Sequence, residues 1–245
     1  MTTDDHRETN AGQLKLLGGF VFSVGGEALL GISAGSRRLL AFLAMRDQTV
    51  TRNQVAGSLW PDSSDERAGA SLRSAVSRLG GPVRQALRVT AVDLGMAEGV
   101  VVDVHHSEAL ARRLIDRDAS PSEGDIGSSA VSALSEELLP GWYDDWALIA
   151  AEDWRQLRLH ALEAVAARLT VADRYAEAAA AALAAVRSEP LRESARAALI
   201  RVHMAEGNQA EALAELERYR VLLHAELGIE PTSRIRELLE GLDSR

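Results

Sequence analysis

The chain has 245 residues, of which 47% are hydrophobic and only 4% aromatic, and its formal net charge is −9. This length and apolar content favour two modest domains, each able to bury a core, and abundant alanine suits packed helices better than a β-sandwich. The chain has no cysteine, which excludes disulfides and thiolate metal sites. It has no run near the ~18 apolar residues of a membrane span, and its polar start is unlike a signal peptide. These two features predict a cytoplasmic protein without a membrane partner.

The first segments of the chain predict a small sheet. Residues 1–13 are polar and are predicted to be a disordered lead. Residues 14–24 are rich in β-formers, Gly25-Gly26 is a turn signal, and residues 28–32 can form the returning strand. These strands precede the first helical pattern.

Three helices and a hairpin are predicted next. Ser36 is placed as the cap of a helix that runs to about Met45, and capping boxes at residues 51–54 and 63–66 open the second and third helices. Gly80-Gly81-Pro82 ends the third helix. A hairpin is then predicted, with strands at residues 88–92 and 100–104 around a turn at residues 93–99.

The second half is predicted to be helical and repetitive. Residues 117–129 are rich in Pro, Ser, Gly and Asp and predict a loop, whereas the pattern from residue 136 on is almost wholly helical. Ala176-Glu177-Ala178 recurs 34 residues later as Ala210-Glu211-Ala212, and this is the tetratricopeptide period. Because two such units bury a continuous core only by stacking, flanking helices are expected at residues 136–150 and 232–242.

These elements predict the fold class and its boundaries. The fold class is mainly α with a small β part, in which an N-terminal winged helix-turn-helix precedes an all-α, tetratricopeptide-like helical repeat domain. The predicted segments are the lead at residues 1–13, the winged helix at residues 14–104 and the helical domain at residues 105–245.

The third helix, residues 65–79, carries the pattern that points to a function. Its apolar stripe consists of Ala68, Leu72, Ala75 and Leu79. Outside the stripe lie arginines and small hydroxyls, namely Arg67, Ser71, Arg73, Ser74, Ser77 and Arg78. Such a helix can enter the major groove of double-stranded DNA, because serines let the backbone approach while arginines reach bases and phosphates. A solvated helix face has the same pattern, but the third position before a hairpin favours DNA binding.

Charge is distributed unevenly along the chain. Residues 1–110 carry 11 basic and 12 acidic side chains, whereas residues 111–245 carry 16 and 24. A near-neutral half can bind DNA where its arginines share one face, because phosphate contacts depend on the local field. Phosphate contacts are predicted for Arg37, Arg38, Arg52, Arg84 and Arg88.

Five sequence blocks are specific as a set: LWPD, LRSAVSRL, LLPGWYDDW, EPLRESA and LGIEPT. With their surroundings they resemble the Streptomyces antibiotic regulatory protein family, over nearly everything after residue 13. The resemblance implies an OmpR-type winged helix followed by a bacterial transcriptional activator domain. It also implies a nucleoid-associated activator that binds tandem direct repeats in promoter DNA, self-associates there and recruits RNA polymerase, through its sigma factor region, usually at antibiotic biosynthesis genes.

The hairpin departs from that family. It reads VDLGMAEGVVVD, with the acidic Asp93 and Glu98 and without the glycine-aromatic turn of the family, and Gly80-Gly81 ends the third helix where the family continues with basic residues. These changes remove phosphate contacts. The alternative hypothesis is therefore a helical protein–protein adaptor whose winged helix has weakened DNA affinity.

Other local patterns suggest chemistry but have simpler interpretations. Residues 31–35 match the G-x-S-x-G nucleophile elbow, yet no strand is predicted after residue 104 to build a hydrolase sheet. His105-His106 lack a third metal ligand, and Asp144-Asp145 are helix neighbours that do not face each other. No catalytic residue, cofactor or metal is therefore predicted. A cluster of aromatic residues is predicted to seat the helical domain rather than to bind a partner: Trp142, Tyr143, Trp146 and Trp154.

Overall fold

The structure is a computed structural model that describes residues 12–46, 48–116 and 118–240. The mainly α fold class with a small β part is confirmed. The contacts between residues divide the chain into two units: Met1–His106 with Glu137–Trp154, and Ser107–Glu136 with Arg155–Arg245. The boundary predicted after residue 104 does not anticipate the return of Glu137–Trp154 to the first unit.

The elements follow one another in two series. The first comprises β1 (Gly12–Lys15), β2 (Val21–Val24), β3 (Glu27–Ala28), α1 (Ala34–Ala44), β4 (Val50–Thr51), α2 (Arg52–Leu59), α3 (Asp65–Ser77), α4 (Gly81–Gln85), β5 (Leu87–Val89), β6 (Asp93–Met96) and β7 (Val101–Val102). The second comprises α5 (Asp103–Ile115), α6 (Ser128–Ser135), α7 (Asp145–Val171), α8 (Tyr175–Ser188), α9 (Glu193–Glu206), α10 (Gln209–Leu227) and α11 (Ser233–Arg236).

Two small sheets frame the first three helices of the first unit. The strand orders are β3-β2-β1-β7, with β7 parallel to β1, and β4-β6-β5. The β-rich residues 14–24 form parts of two strands, because Gly18 and Gly19 take φ angles of 72° and 136° and reverse the chain. Residues 1–11 of the predicted lead lie outside the described residues, whereas Gly12 and Gln13 belong to β1.

Two of the three predicted helix caps differ in the structure. The N-cap of α1 is Ser33, whose hydroxyl oxygen accepts the N–H of Ser36 at 3.3 Å, so Ser36 is not the cap. At α2 the predicted capping box is confirmed, with reciprocal bonds of 3.4 Å between Thr51 and Gln54. At α3 the N-cap Ser64 makes no side-chain capping bond, so the second predicted box is wrong.

The hairpin after α3 is formed by β5 and β6, not by the strands predicted around residues 93–99. The hydroxyl oxygen of Thr90 accepts the N–H groups of Val92 and Asp93, at 3.2 and 2.8 Å, and closes an earlier turn. Most of the predicted turn is therefore strand β6, in which Leu94 is fully buried. The chain then turns again, and β7 pairs with β1 instead.

The segment Glu137–Trp154 begins with extended chain. Leu138 forms an antiparallel bridge with Leu17, and the N–H of Leu139 donates to the carbonyl of Leu16 at 2.9 Å. The helix expected at residues 136–150 therefore begins only at the start of α7. In Leu138 and Leu139, backbone pairing with Leu16 and Leu17, which follow β1, replaces helical hydrogen bonds.

Residues 117–129 contain ordered turns rather than a plain loop, and position 117 itself lies outside the described residues. A 3₁₀ turn covers Glu123–Ile126, and α6 already begins at Ser128. The N–H and hydroxyl of Ser122 both donate to Asp125 at 2.9 Å, and Arg113 donates to the same carboxylate at 2.8 Å. The bond from Arg113, with those from Ser122, lowers the pKa of Asp125 to about 2.

The predicted repeat lies in the second unit. Its two copies occupy the first turns of α8 and α10, where Ala178 and Ala212 are fully buried, and both helices pack against α9. The preceding turns also match, because Asp173 and Gly207 take φ angles of 57° and 87°. The flanking helix expected at residues 232–242 is α11 with a 3₁₀ turn after it.

An ion pair lies in the interior of this repeat. Arg196 and Glu215 are 9% and 3% exposed, and the guanidinium of Arg196 donates to the Glu215 carboxylate and to the Pro190 carbonyl. Arg218 donates to the second oxygen of Glu215 at 2.9 Å. Removing one partner from such a pair leaves a buried charge without compensation.

We expect Glu215→Gln to lower the free energy of unfolding by about 3–5 kcal/mol, because Arg196 then lacks a counter-charge. The control is Glu217→Gln in the same helix, where an exposed carboxylate pairs with Arg220 and the expected loss is below about 1 kcal/mol. Urea unfolding followed by circular dichroism measures both. Equal losses contradict the role given to the buried pair.

Candidate nucleic-acid interface

The rotation of α3 about its axis is fixed by its buried stripe. Ala68, Leu72 and Ala75 are at most 4% exposed, and the helix packs against α1 and α2. The buried hydroxyl of Ser36 donates to the carbonyl of Ala75 at 2.8 Å. A Cβ at Gly35 would lie 3.8 Å from the Ala75 Cβ, so α1 and α3 meet closely at this point. The opposite face of α3 therefore points to solvent.

The residues predicted to bind DNA share this outer face. Arg67, Arg73, Ser77 and Arg78 are exposed, and Ser71 and Ser74 are half-buried. Within residues 12–46, 48–116 and 118–240, none of the three arginine side chains has a hydrogen bond or an ion pair. The structure thus brings the six predicted residues together on one helix and leaves its arginines unengaged.

Ala70 lies on the same face, although the sequence pattern did not single it out. Positions 67, 70, 74 and 77 are spaced like one face of a helix, and Ala70 is exposed. A guanidinium nitrogen of Arg73 lies 3.5 Å from where a Cβ on Gly69 would be, so this side chain extends along the helix over the glycine. Small side chains let the helix backbone approach a ligand closely on this face. Helical spacing was the sequence signal that could have identified Ala70.

The charge around α3 differs from that of the whole chain. Between Arg67 and Val92 the sequence contains five arginines and no acidic residue. This segment runs from the first turn of α3 through α4 and β5 to the hairpin turn. This segment therefore has an excess of positive charge, although the whole chain has a net charge of −9, and charges more than about 10 Å away are largely screened at 0.1 M salt.

Four of the five arginines predicted to contact phosphates remain available. Arg37 and Arg88 are exposed, and their side chains have no hydrogen bond or ion pair in the described part of the chain. Arg52 donates one N–H to the Thr90 carbonyl at 3.1 Å, and Arg84 donates one to the Leu87 carbonyl at 3.3 Å. Since a guanidinium has five N–H donors, both retain donors for a ligand.

Arg38 is engaged within the first unit. Its guanidinium forms an ion pair with Asp144, donates to the Leu59 carbonyl at 2.6 Å and lies 5.9 Å from the centre of the Trp60 ring. The side chains of Arg38 and Asp144 are 30% and 18% exposed. These contacts give Arg38 a structural role within the first unit, which favours that role over the predicted phosphate contact.

The competing sequence patterns have structural roles. Ser33 of the G-x-S-x-G match caps α1, and its hydroxyl lies 2.8 Å from the Ser36 hydroxyl. His105 and His106 hydrogen-bond to backbone carbonyls of Ala44 and Val102. The described residues contain no group of three or more His, Asp or Glu side chains that could hold a metal ion.

The aromatic cluster divides into core and surface residues. Trp142 stacks on Phe20 with ring centres 6.2 Å apart, and Trp146 meets Phe42 edge-on at 5.3 Å, all within the first unit. Tyr143 is 83% exposed, so it does not belong to this core. Trp142 and Trp146 therefore help to hold the segment Glu137–Trp154 in the first unit.

A winged helix with an arginine-rich third helix, in one chain with tetratricopeptide-like helices, is typical of transcription regulators. Comparison with known proteins supports this class of protein. The bacterial transcriptional activator domain matches residues 102–242, which is more than half of the chain. The chain therefore belongs to the bacterial transcriptional activator domain family, and the resemblance to Streptomyces antibiotic regulatory proteins is confirmed.

Two curated relatives are regulatory proteins AfsR. The one from Streptomyces griseus is 29% identical over 239 residues, and the one from Streptomyces coelicolor is 28% identical over 243 residues. Each match covers 89% of this chain but 23% of the relative, so the chain spans about a quarter of their length. Transcription regulation is the function class that these matches support.

A solved structure confirms the fold. Mycobacterium tuberculosis EmbR, in complex with a low affinity phosphopeptide, is 22% identical, with a TM-score of 0.63 over 94% of this chain and 64% of that chain. No helix among the described residues has the length and apolar character needed to cross a bilayer.

We expect Arg38→Gln to lower the free energy of unfolding by about 1.5–3 kcal/mol, because it removes charge-assisted hydrogen bonds. The control is the neighbouring Arg37→Gln, which should leave stability unchanged. In DNA titrations at several salt concentrations, Arg37→Gln should lower the salt slope by about 0.9, whereas Arg38→Gln should not change it. The reverse pattern contradicts the assignment of the Arg38–Asp144 pair.

Proposed function

We propose that this chain is a sequence-specific, DNA-binding transcriptional activator. The observation that carries the proposal is the outer face of α3, where Arg67, Arg73 and Arg78 are exposed beside small side chains and have no partner among the described residues. An arginine without an internal partner can donate two hydrogen bonds to O6 and N7 of guanine, or bind a phosphate. Membership of a family of transcriptional activators supports the same function.

The arginines form two groups. The arginines of α3 contact base edges, and the small side chains of Ser71, Ser74 and Ser77 let the helix backbone approach the groove. The second group contacts phosphates and fixes the register of the protein on the duplex, and it consists of Arg37, Arg52, Arg84 and Arg88. Base contacts specify the sequence, whereas phosphate contacts strengthen binding to every sequence alike.

We expect Arg73→Ala and Arg78→Ala each to weaken operator binding by about 1–3 kcal/mol, with a smaller loss on unrelated DNA. Both side chains are exposed, so the fold should persist. The control is Arg187→Ala in α8, an exposed arginine that contacts only a carbonyl of its own helix. Mobility-shift titrations measure all three. If both α3 variants bind the operator like the unaltered protein, α3 is not the reading element.

We further propose that two copies bind adjacent direct repeats near a promoter and recruit RNA polymerase through its sigma factor region. We expect a single copy to bind weakly, because residues 1–110 are close to neutral overall and the hairpin lacks the aromatic turn of the family. A second copy in contact with the first gains from effective concentration. Direct repeats require a head-to-tail contact between two different patches. The resemblance to the Streptomyces antibiotic regulatory protein family is the reason to propose targets among antibiotic biosynthesis genes.

Inserting about 5 base pairs, half a helical turn, between the repeats should remove the gain in affinity from tandem binding. About 10 base pairs, a full turn, should restore part of it, because the sites again share one face of the duplex. The titrations use the full chain, since Glu137–Trp154 belongs to the first unit. A single-repeat duplex is the control. Equal affinity at every spacing contradicts the tandem arrangement.

A helical adaptor with weakened DNA affinity is the second candidate. It is favoured by the acidic Asp93 and the exposed Glu98 near the hairpin, and by the engagement of Arg38 in an internal ion pair. Salt dependence separates the two candidates. An activator that neutralises several phosphates loses operator affinity steeply with salt, whereas an adaptor shows no operator preference at any salt concentration.

A further inference from the structure

A cleft of about 640 Å³ lies within the second unit, between α7, α9 and α11. Its apolar lining is made mainly of small side chains, including Ala167 and Ala198, together with Val171, which is 87% exposed. Small side chains leave room for another chain to lie in the cleft. An exposed valine at its edge offers apolar surface to such a chain.

The two carboxylates that line the cleft are already hydrogen-bonded. Glu163 accepts Arg192 and the hydroxyl of Ser194, both at 2.7 Å. Glu193 accepts the N–H of Thr232 at 3.0 Å and also its hydroxyl. Both acids therefore serve to hold the walls of the cleft together, with Glu163 accepting through Oε1 and Glu193 through both of its oxygens.

The two arginines that line the cleft, unlike the two carboxylates, have side chains without hydrogen bonds to the described residues. Arg201 and Arg234 are exposed, and neither side chain has a hydrogen bond or an ion pair in the described part of the chain. Every other described arginine of the second unit donates to a carboxylate, a carbonyl or a hydroxyl. Among the described arginines of the unit, the two whose side chains have no partner thus line one cleft.

We propose that this cleft binds an extended acidic segment of a partner protein. One carboxylate of the segment lies between Arg201 and Arg234, and its neighbouring small or apolar side chains lie against Ala167, Ala198 and Val171. Charge-assisted hydrogen bonds to two guanidinium groups give the carboxylate its selectivity over an uncharged amide. The proposal is independent of DNA binding by α3.

The surrounding charge favours a short peptide over a nucleic acid. Residues 111–245 carry 24 acidic and 16 basic side chains, a net charge of −8 that repels a polyanion extending beyond the cleft. A single carboxylate held between two arginines interacts mainly with those two charges, because salt screens the charges that are farther away. Two arginines and a small apolar lining therefore suit one acidic side chain on an extended chain.

The test uses the full chain and a fluorescein-labelled peptide of six residues with one central aspartate, together with a twin peptide that has asparagine there. Fluorescence anisotropy should show saturable binding of the acidic peptide and about tenfold weaker binding of the twin, which is about 1.4 kcal/mol. Arg201→Gln and Arg234→Gln should each weaken the acidic peptide about tenfold and leave operator binding unchanged. The matched control is Arg187→Gln, an exposed arginine outside the cleft.

Alanine-methyl spectra locate the bound peptide, with shifts expected at Ala167 and Ala198 and none at Ala180 of α8. Operator DNA should not displace the peptide. Equal binding of the two peptides, an equal loss in Arg187→Gln, or shifts away from the cleft would overturn the proposal. Displacement by DNA would also overturn it, since the cleft would then bind phosphates. Circular dichroism of each variant verifies that the fold is intact.

Discussion

The close packing of α1 on α3 is the contact on which the proposed function depends. Ser36 and Gly35 of α1 lie against Ala75, and the Ser36 hydroxyl donates to the Ala75 carbonyl inside the core. The buried apolar stripe of α3 fixes the rotation of the helix, and the buried hydrogen bond to its backbone stabilises the same arrangement. With that rotation fixed, the arginines and serines of α3 share the outer face, and the helix presents them without further support.

Local charge, rather than net charge, reconciles an acidic chain with a DNA-binding surface. The acidic residues lie mostly in the second half, and the segment from Arg67 to Val92 has none. Where acidic residues meet arginines, they form structural pairs, as Asp144 does with Arg38 and Glu215 with Arg196. These pairs neutralise their partners, so the remaining arginines define the surfaces that can attract a ligand.

Sequence pattern predicted the parts of the fold that depend on local spacing. The buried stripe of α3, the capping box at Thr51 and the 34-residue repeat were all predicted, because each follows from helical periodicity or neighbouring side chains. The other predictions depended on contacts between residues that are far apart in the sequence. Ser33 and Ser36 both suit a helix cap, and only the distant Ala75 decides between them. Arg38 was assigned to phosphate because its partner Asp144 is 106 residues away.

The most direct test of the central claim is to locate α3 on DNA. Since the chain contains no cysteine, Ser77→Cys provides a single attachment point for a photo-crosslinker on the exposed face of α3, and Ala180→Cys provides one on α8 as a control. The account predicts that the label at position 77 crosslinks to major-groove atoms at defined bases of the operator, and that the label at position 180 does not. Equal crosslinking from both positions, or none from position 77 to operator that is demonstrably bound, would contradict it.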